Sequence, residues 1–178
     1  RVIGIDIAEK FIEVARSLKK EDEHIAFDVM DGEHTSFRDS EFDTVIVLGL
    51  FEYIEDLTLY FRECGRILKP GGELIFTCWN INKWFGWKLF NDRMEGSFDH
   101  SLSSLKKILT GEKLELTACV STFFIPTRLF FAFYRRLSGS ARLQSAYVNT
   151  IISFERIIRR SFHNLKGGEL IIKAVKAR

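Results

Sequence analysis

Proline and cysteine are scarce in this chain, with 2 prolines and 3 cysteines among 178 residues. Cys64, Cys78 and Cys119 lie far apart, form no Cys-x-x-Cys pair and leave an odd thiol, which argues against a disulfide framework and a zinc site. A reduced, cytoplasmic setting is the expectation that follows. No apolar run approaches the roughly 20 residues that a membrane-spanning helix needs. Internal repeats, low-complexity segments and linker-like stretches are lacking too, so residues 1–178 read as a single domain. His24, His34 and His163 show no ligand-like spacing with cysteines or carboxylates, and no metal site is expected.

Phenylalanine is abundant, at 17 residues, within an otherwise ordinary composition of 46% hydrophobic and 28% charged residues. The net charge of +2 conceals a gradient. Residues 1–60 hold 6 Lys and Arg against 15 Asp and Glu, residues 61–122 hold 9 against 7, and residues 123–178 hold 11 against 2. An acidic opening suits an amine- or hydroxyl-rich ligand, and a basic, aromatic tail suits an anionic substrate or membrane surface. The same basic residues also serve simply to solvate helix faces.

Two short apolar runs, Phe42 to Leu48 and Glu73 to Thr77, are rich in β-branched residues and bounded by Gly, Pro or Asp, as in buried parallel strands. Asp56 to Leu68 lies between them with Leu57, Tyr60, Phe61, Cys64, Ile67 and Leu68 at helical spacing, and Pro70-Gly71-Gly72 is expected to stop that helix. Strand, helix, Lys-Pro-Gly-Gly turn and strand make one βαβ unit. Upstream, Val2 to Ile7 reads as a buried strand, Ala8 to Lys20 as a helix with Phe11, Ile12, Val14, Ala15 and Leu18 on one stripe, and Ile25 to Met30 as another strand. Downstream, Cys78 to Asp99 is aromatic and irregular, with Trp79, Trp84, Phe85, Trp87 and Phe90. Ser101 caps a short helix to Leu109, Leu114 to Phe124 alternates like a strand, Pro126 to Arg136 and Ala141 to Ser161 read as helices, and Glu169 to Val175 closes as a strand after Gly167-Gly168. The fold class is α/β, with a mostly parallel sheet and an antiparallel ending.

Asp6 and Asp31 end two successive strands, which puts two carboxylates on one edge of a parallel sheet. Such an edge binds nucleosides: one acid accepts hydrogen bonds from ribose hydroxyls and a second accepts from an exocyclic adenine amine. Each aspartate has the alternative of a strand terminator or helix cap.

Taken in order, Val2-Ile3-Gly4-Ile5-Asp6-Ile7, Glu13-Val14-Ala15-Arg16, Asp31-Gly32-Glu33 with Phe37, Phe42-Asp43-Thr44-Val45, Glu52-Tyr53-Ile54-Glu55-Asp56 and Arg66 to Gly72 resemble the class I S-adenosylmethionine-dependent methyltransferases, in particular the quinone-biosynthesis and other small-molecule enzymes. The resemblance covers about the first 77 residues. It implies a Rossmann-like methyltransferase sheet, S-adenosylmethionine as cofactor, Asp6 on the ribose, Asp31 on the adenine amine, a backbone contact from Gly32, and Ile7, Met30 and Glu33 lining the adenine slot. The family's first strand and Gly-rich turn find no counterpart upstream of Val2. The expectation is therefore a fragment lacking its first strand and helix, with weak or no cofactor affinity and no activity as written. The family's Leu-Pro-Phe is here Thr35-Ser36-Phe37, and its frequent His after the fourth strand is Tyr53.

Methyl transfer needs alignment of nucleophile and methyl, and a base only where the acceptor loses a proton. Glu52, Tyr53 and His100 are the candidates. Phe98 to Leu102 resembles the family's substrate-side His segment, which makes His100 the preferred base or acceptor-orienting group of the three; a surface His capping the next helix is the alternative, and carries slightly more weight. The aromatic, basic stretch 123–136, within a helical insert at about 125–165, reads as a lid over an apolar acceptor, as an interfacial helix on anionic membrane, or as a helix packing its Phe into the core. The expected function is methyl transfer to O or C of a small, apolar or lipid-linked acceptor. A degenerate methyltransferase-like binding or scaffold domain is the alternative. A dinucleotide oxidoreductase shares the strand-terminal acid but not the Lys-Pro-Gly-Gly turn. A nucleic-acid acceptor has no Asn/Asp-Pro-Pro-aromatic signature to support it.

Overall fold

The short apolar runs and amphipathic segments become alternating strands and helices in the computed structural model, which describes residues 1–19, 23–80, 96–122, 127–161 and 169–177. In chain order these are β1 (Val2–Asp6), α1 (Glu9–Leu18), β2 (Ile25–Val29), β3 (Phe42–Val47), a 3₁₀ turn (Phe51–Tyr53), α2 (Thr58–Ile67), β4 (Leu68–Asn80), β5 (Asp99–His100), α3 (Leu102–Gly111), β6 (Leu114–Thr122), α4 (Thr127–Arg136), α5 (Ala141–Ser161) and β7 (Glu169–Lys176). Trp84, Phe85, Trp87, Phe90, residues 123–126, His163 and the Gly167-Gly168 turn lie outside the described residues.

β1 and β2 form a parallel pair, in register from Val2 opposite Ile25 to Asp6 opposite Val29. A second sheet has the order β3-β4-β7-β6, with β5 alongside the end of β4. β3 and β5 run parallel to β4, whereas β7 runs antiparallel to both β4 and β6, as the alternating pattern of the last two strands predicts. Among the described residues, β1 pairs only with β2 and β3 only with β4.

That pairing corrects the reading of β3 as buried. Ile46 is 61% exposed, because β3 has a neighbour on one side only, whereas Leu74, Phe76 and Cys78 of β4, flanked by strands on both sides, are fully buried. α1 departs likewise from its expected apolar stripe, burying Ile12 but leaving Phe11, Val14 and Leu18 exposed, since a two-stranded ladder offers little surface to cover them.

The Lys-Pro-Gly-Gly segment does not separate helix from strand. Leu68 leaves α2 directly in extended geometry and pairs with Phe42; the next pair is Thr44 with Glu73, so Lys69 to Gly72 bulge opposite Asp43. Lys69 Nζ donates to Asp43 Oδ1 at 2.8 Å across the bulge. Gly71 has φ +78°, and a Cβ on Gly72 would meet the Lys69 and Asp43 carbonyl oxygens at 2.9 and 3.1 Å, so both glycines are required by the backbone path.

α2 supplies the core beneath this unit. Phe61 packs against Phe51 and Phe76 with ring centroids 5.2 and 5.1 Å away, and Phe51 and Phe76 close the triangle at 5.3 Å. Leu105 and Leu109 of α3, Leu114 of β6 and Leu170, Ile172 and Ala174 of β7 complete the cluster. α3 starts where expected, with Ser101 Oγ accepting the Ser104 N–H at 3.0 Å.

Between β6 and β7 stands a helical hairpin. Phe130 and Tyr134 of α4 stack at 5.9 Å, Phe130 lies 5.4 Å from Tyr147 of α5, and the Tyr147 hydroxyl donates to the Phe130 carbonyl. Part of the aromatic content of 123–136 is thus spent inside the hairpin.

The other side of α2 carries a polar clamp. Arg66 donates to both carboxylate oxygens of Glu63 (2.9 and 2.7 Å), to the Phe37 carbonyl and to Asp39, while Glu63 Oε1 also accepts the Thr35 N–H at 2.8 Å. These bonds tie the segment between β2 and β3 to the helix. The Arg66 guanidinium, followed by Thr35, outweighs burial and holds the Glu63 carboxyl down at about 2. A depressed folded-state value favours folding above the ordinary carboxyl range near 4.5, and that contribution fades as pH falls toward 2. Glu63→Gln is expected to cost about 2 kcal/mol at neutral pH and progressively less as pH falls through that window. Urea denaturation of both proteins across the acid range checks this; a difference independent of pH would refute it.

Candidate functional site

The turn after each parallel strand brings its polar residues to a carboxyl edge. Asp6 ends β1 and accepts the Ala8 N–H on Oδ1 at 2.7 Å, which turns the chain into α1. Asp31 follows β2 and accepts the Glu33 N–H on Oδ1 at 2.9 Å, bending the chain back across the strand ends. The ladder continues between them, the Met30 N–H donating to the Asp6 carbonyl at 3.0 Å. Each aspartate spends one carboxylate oxygen on this local bond, and a carboxylate has a second oxygen able to accept. The two predicted acids thus stand at the carboxyl ends of neighbouring strands, Asp31 two residues beyond the end of β2.

Ile7, Met30 and Gly32 adjoin them in the chain, with Glu33 next after Gly32. Ile7 is 74% exposed beside Asp6. Met30 Sδ accepts the Ser36 N–H at 3.4 Å, which fixes the start of the following loop. A Cβ on Gly32 would lie 2.9 Å from Cε1 of Tyr60, so only glycine lets that ring approach the loop. Burial pushes the Tyr60 hydroxyl upward, with Glu33 and Asp31 adding to the effect. Ligand atoms of Asp31, Glu33 and His34 converge within 4.8 Å, although spacing in the sequence set His34 apart from such a group. Exposed carboxylates converge in this way without an ion, and none is assigned to them.

A second cluster gathers at the ends of β3 and β4. The Gly49 N–H donates to Thr77 Oγ1 at 3.1 Å, and that hydroxyl donates onward to Glu52 Oε1 at 3.3 Å. Glu52 is 5% exposed; its Oε2 has no hydrogen-bond partner among the described residues, and its carbonyl accepts the Phe98 N–H at 2.7 Å. His100 is 8% exposed and sits in β5, not on the surface as a cap; Ser101 caps α3 instead. Its Nε2 lies 3.0 Å from the Phe51 carbonyl oxygen, which only accepts, so Nε2 carries the hydrogen and Nδ1 is the ring atom able to take a proton. Glu52 thus belongs to the turn whose backbone His100 bonds. Tyr53, next to Glu52 in sequence, is 46% exposed and does not share the burial of Glu52 and His100.

Tyr60 links the two clusters. Its ring abuts Gly32 on one side and stands edge-on to Phe51, centroids 5.6 Å apart, on the other. The sequence reading places Tyr60 among core positions and passes over Thr77 as the end of an apolar run. Helical spacing cannot separate a ring that fills the core from one that lies under a loop.

Residues 1–76 match the family described as "Methyltransferase domain". The ubiquinone biosynthesis O-methyltransferase of Thiobacillus denitrificans is 31% identical over 83 residues, which are 46% of this chain and 36% of that protein. The chain spans about a third of the length of the curated relatives it matches. Phosphoethanolamine N-methyltransferase 2 of Haemonchus contortus, solved with S-adenosyl-L-methionine, superposes with a TM-score of 0.69 at 18% identity, covering 99% of this chain and 43% of that one. The [4+2]-cyclase SpnF superposes with a TM-score of 0.68 at 17% identity, covering 99% of this chain and 66% of that one. Likeness at such identity concerns the fold, which a methyltransferase and a cyclase share. The parallel β1–β2 pair, the βαβ unit around α2, the antiparallel β7 and these superpositions together give the chain the Rossmann-like fold of the methyltransferases, and residues 1–76 are similar to the methyltransferase domain family.

Proposed function

We propose that the whole protein transfers a methyl group from S-adenosylmethionine to O or C of a small, apolar or lipid-linked acceptor. The observation that carries this reading is the pair of carboxylates, Asp6 and Asp31, at the carboxyl ends of adjacent parallel strands. Asp6 accepts from the ribose hydroxyls, Asp31 accepts from the adenine amine, Gly32 adds a backbone contact, and Ile7, Met30 and Glu33 line the base. The cofactor, when bound, supplies a methyl activated on a sulfonium sulfur. The rest is positioning. Glu52 and His100 receive the acceptor at the ends of β3 and β4, and Nδ1 of His100 takes the proton that a hydroxyl loses as it attacks. The quinone-biosynthesis relatives support an acceptor of that size and polarity, and the three free cysteines suit a reducing, cytoplasmic location.

Calorimetric titration of the whole protein with S-adenosylhomocysteine tests the reading. Binding is expected, weakened about tenfold by Asp31→Asn and more by Asp6→Asn, each through loss of a charge-assisted hydrogen bond. Absence of binding by the unaltered protein would favour the degenerate binding domain.

His100→Gln tests the base. The glutamine amide keeps a donor for the Phe51 carbonyl while removing the proton acceptor, so kcat is expected to fall about 10²–10⁴-fold with S-adenosylhomocysteine affinity unchanged. A rate within threefold of the parent, roughly the scatter of a surface substitution, would move the base elsewhere.

A further inference from the structure

Among the described residues, one flank of α5 has no protein over it. Leu143, Ala146, Thr150, Phe154 and Ile157 recur at the spacing of a single helical face, and all five are exposed; Leu143, Phe154 and Ile157 are 55%, 48% and 62% accessible. The one polar member turns inward, since the Thr150 hydroxyl donates to the Ala146 carbonyl at 2.9 Å and leaves its methyl on the stripe. The opposite choice is made by Tyr147 and Gln144, which face α4 and hydrogen-bond the Phe130 and Tyr134 carbonyls. The hairpin therefore has its own seam, and the stripe is additional to it.

Charge decides what covers the stripe. Residues 127–161 hold seven Arg, no Lys and one acidic residue, Glu155. Arg142 and Arg156 are exposed and lie beside the stripe by helical position, and Arg135 and Arg136 end α4 at the tip of the hairpin with the exposed Phe133 nearby in the chain. A second copy of this hairpin would bring arginine against arginine, and a nucleic acid would leave the apolar stripe in water. An anionic lipid surface satisfies both: acyl chains take Leu143, Phe154 and Ile157 while the arginines reach phosphates. No described helix is long and apolar enough to cross a membrane, so the contact is in the plane of the surface.

We infer that the α4–α5 hairpin is a peripheral membrane anchor that lays the Leu143–Phe154–Ile157 flank of α5 on anionic lipid. The contact expected of residues 123–136 thereby shifts its apolar footing to α5, with α4 contributing mainly charge. The inference stands on the hairpin and does not require methyl transfer, although a lipid-linked acceptor would be met at the same surface.

Co-sedimentation of the whole protein with phosphatidylcholine vesicles, with and without phosphatidylglycerol, tests it, with S-adenosylhomocysteine affinity and circular dichroism measured on every variant. Binding is expected only to the anionic vesicles and weakened by salt. Ile157→Asp, and separately Leu143→Ser, should lower the partition coefficient about tenfold, as should Arg142→Glu with Arg156→Glu, with circular dichroism and cofactor affinity unchanged. Equal or negligible binding to both vesicles, salt-sensitive binding to poly(U) RNA in preference to vesicles, or dimerisation that Ile157→Asp abolishes would each overturn the inference. Loss of cofactor binding with vesicle binding intact would instead count against the proposed activity alone.

Discussion

Phe51 is the residue on which both halves of the structure turn. Its ring is fully buried in the triangle with Phe61 and Phe76, so the 3₁₀ turn after β3 is held against α2 and β4 by apolar contact. Its carbonyl, fixed by the same burial, bonds Nε2 of His100 and thereby selects which imidazole nitrogen is able to accept a proton. Glu52 follows directly and is drawn under cover with it, although a carboxylate gains nothing from burial for its own sake. An apolar core residue thus positions two polar ones.

A second constraint joins the carboxyl edge of β1 and β2 to this turn. β1 and β2 make no ladder with the larger sheet among the described residues, so their acids are placed by loop contacts with α2. The Glu63–Arg66 pair grips the backbone at Thr35 and Phe37, and Tyr60 lies under Gly32. α2 consequently serves as crossover helix, core element and mount for the Asp31 loop. Its three faces divide the labour: Phe61, Cys64 and Ile67 buried, Glu63 and Arg66 in the clamp, and Tyr60 between.

Much of this was readable beforehand. The strands at Val2, Ile25, Phe42 and Glu169, the Ser101 cap and the α5 limits follow from alternation, apolar runs and capping chemistry, all of which act over a few residues. Burial was less readable. The β-branched run at Phe42 carries the composition of a central strand, yet composition reports what a strand is suited to and not how many neighbours it has. The same limit applies to Lys69-Pro70-Gly71-Gly72, whose residues forbid regular helix but do not say whether the chain turns or bulges. Partnering decides, and β3 lies more than twenty residues away.

By itself the sequence determined the order of elements, the two acids at successive strand ends and the basic, Phe-rich character of the tail, because each rests on local backbone preference or on composition. Only the tertiary structure decided that His100 is buried and bonded through Nε2, that Thr77 bonds Glu52 and Tyr60 packs on Phe51, and that α4 turns Phe130 and Tyr134 toward each other and Tyr147 while α5 keeps an apolar flank outside. Those outcomes depend on which distant segments share a surface. Residues as far apart as Phe51 and His100 meet through strand pairing and core packing, and no pattern along the chain encodes the direction in which a side chain of ambiguous polarity will face.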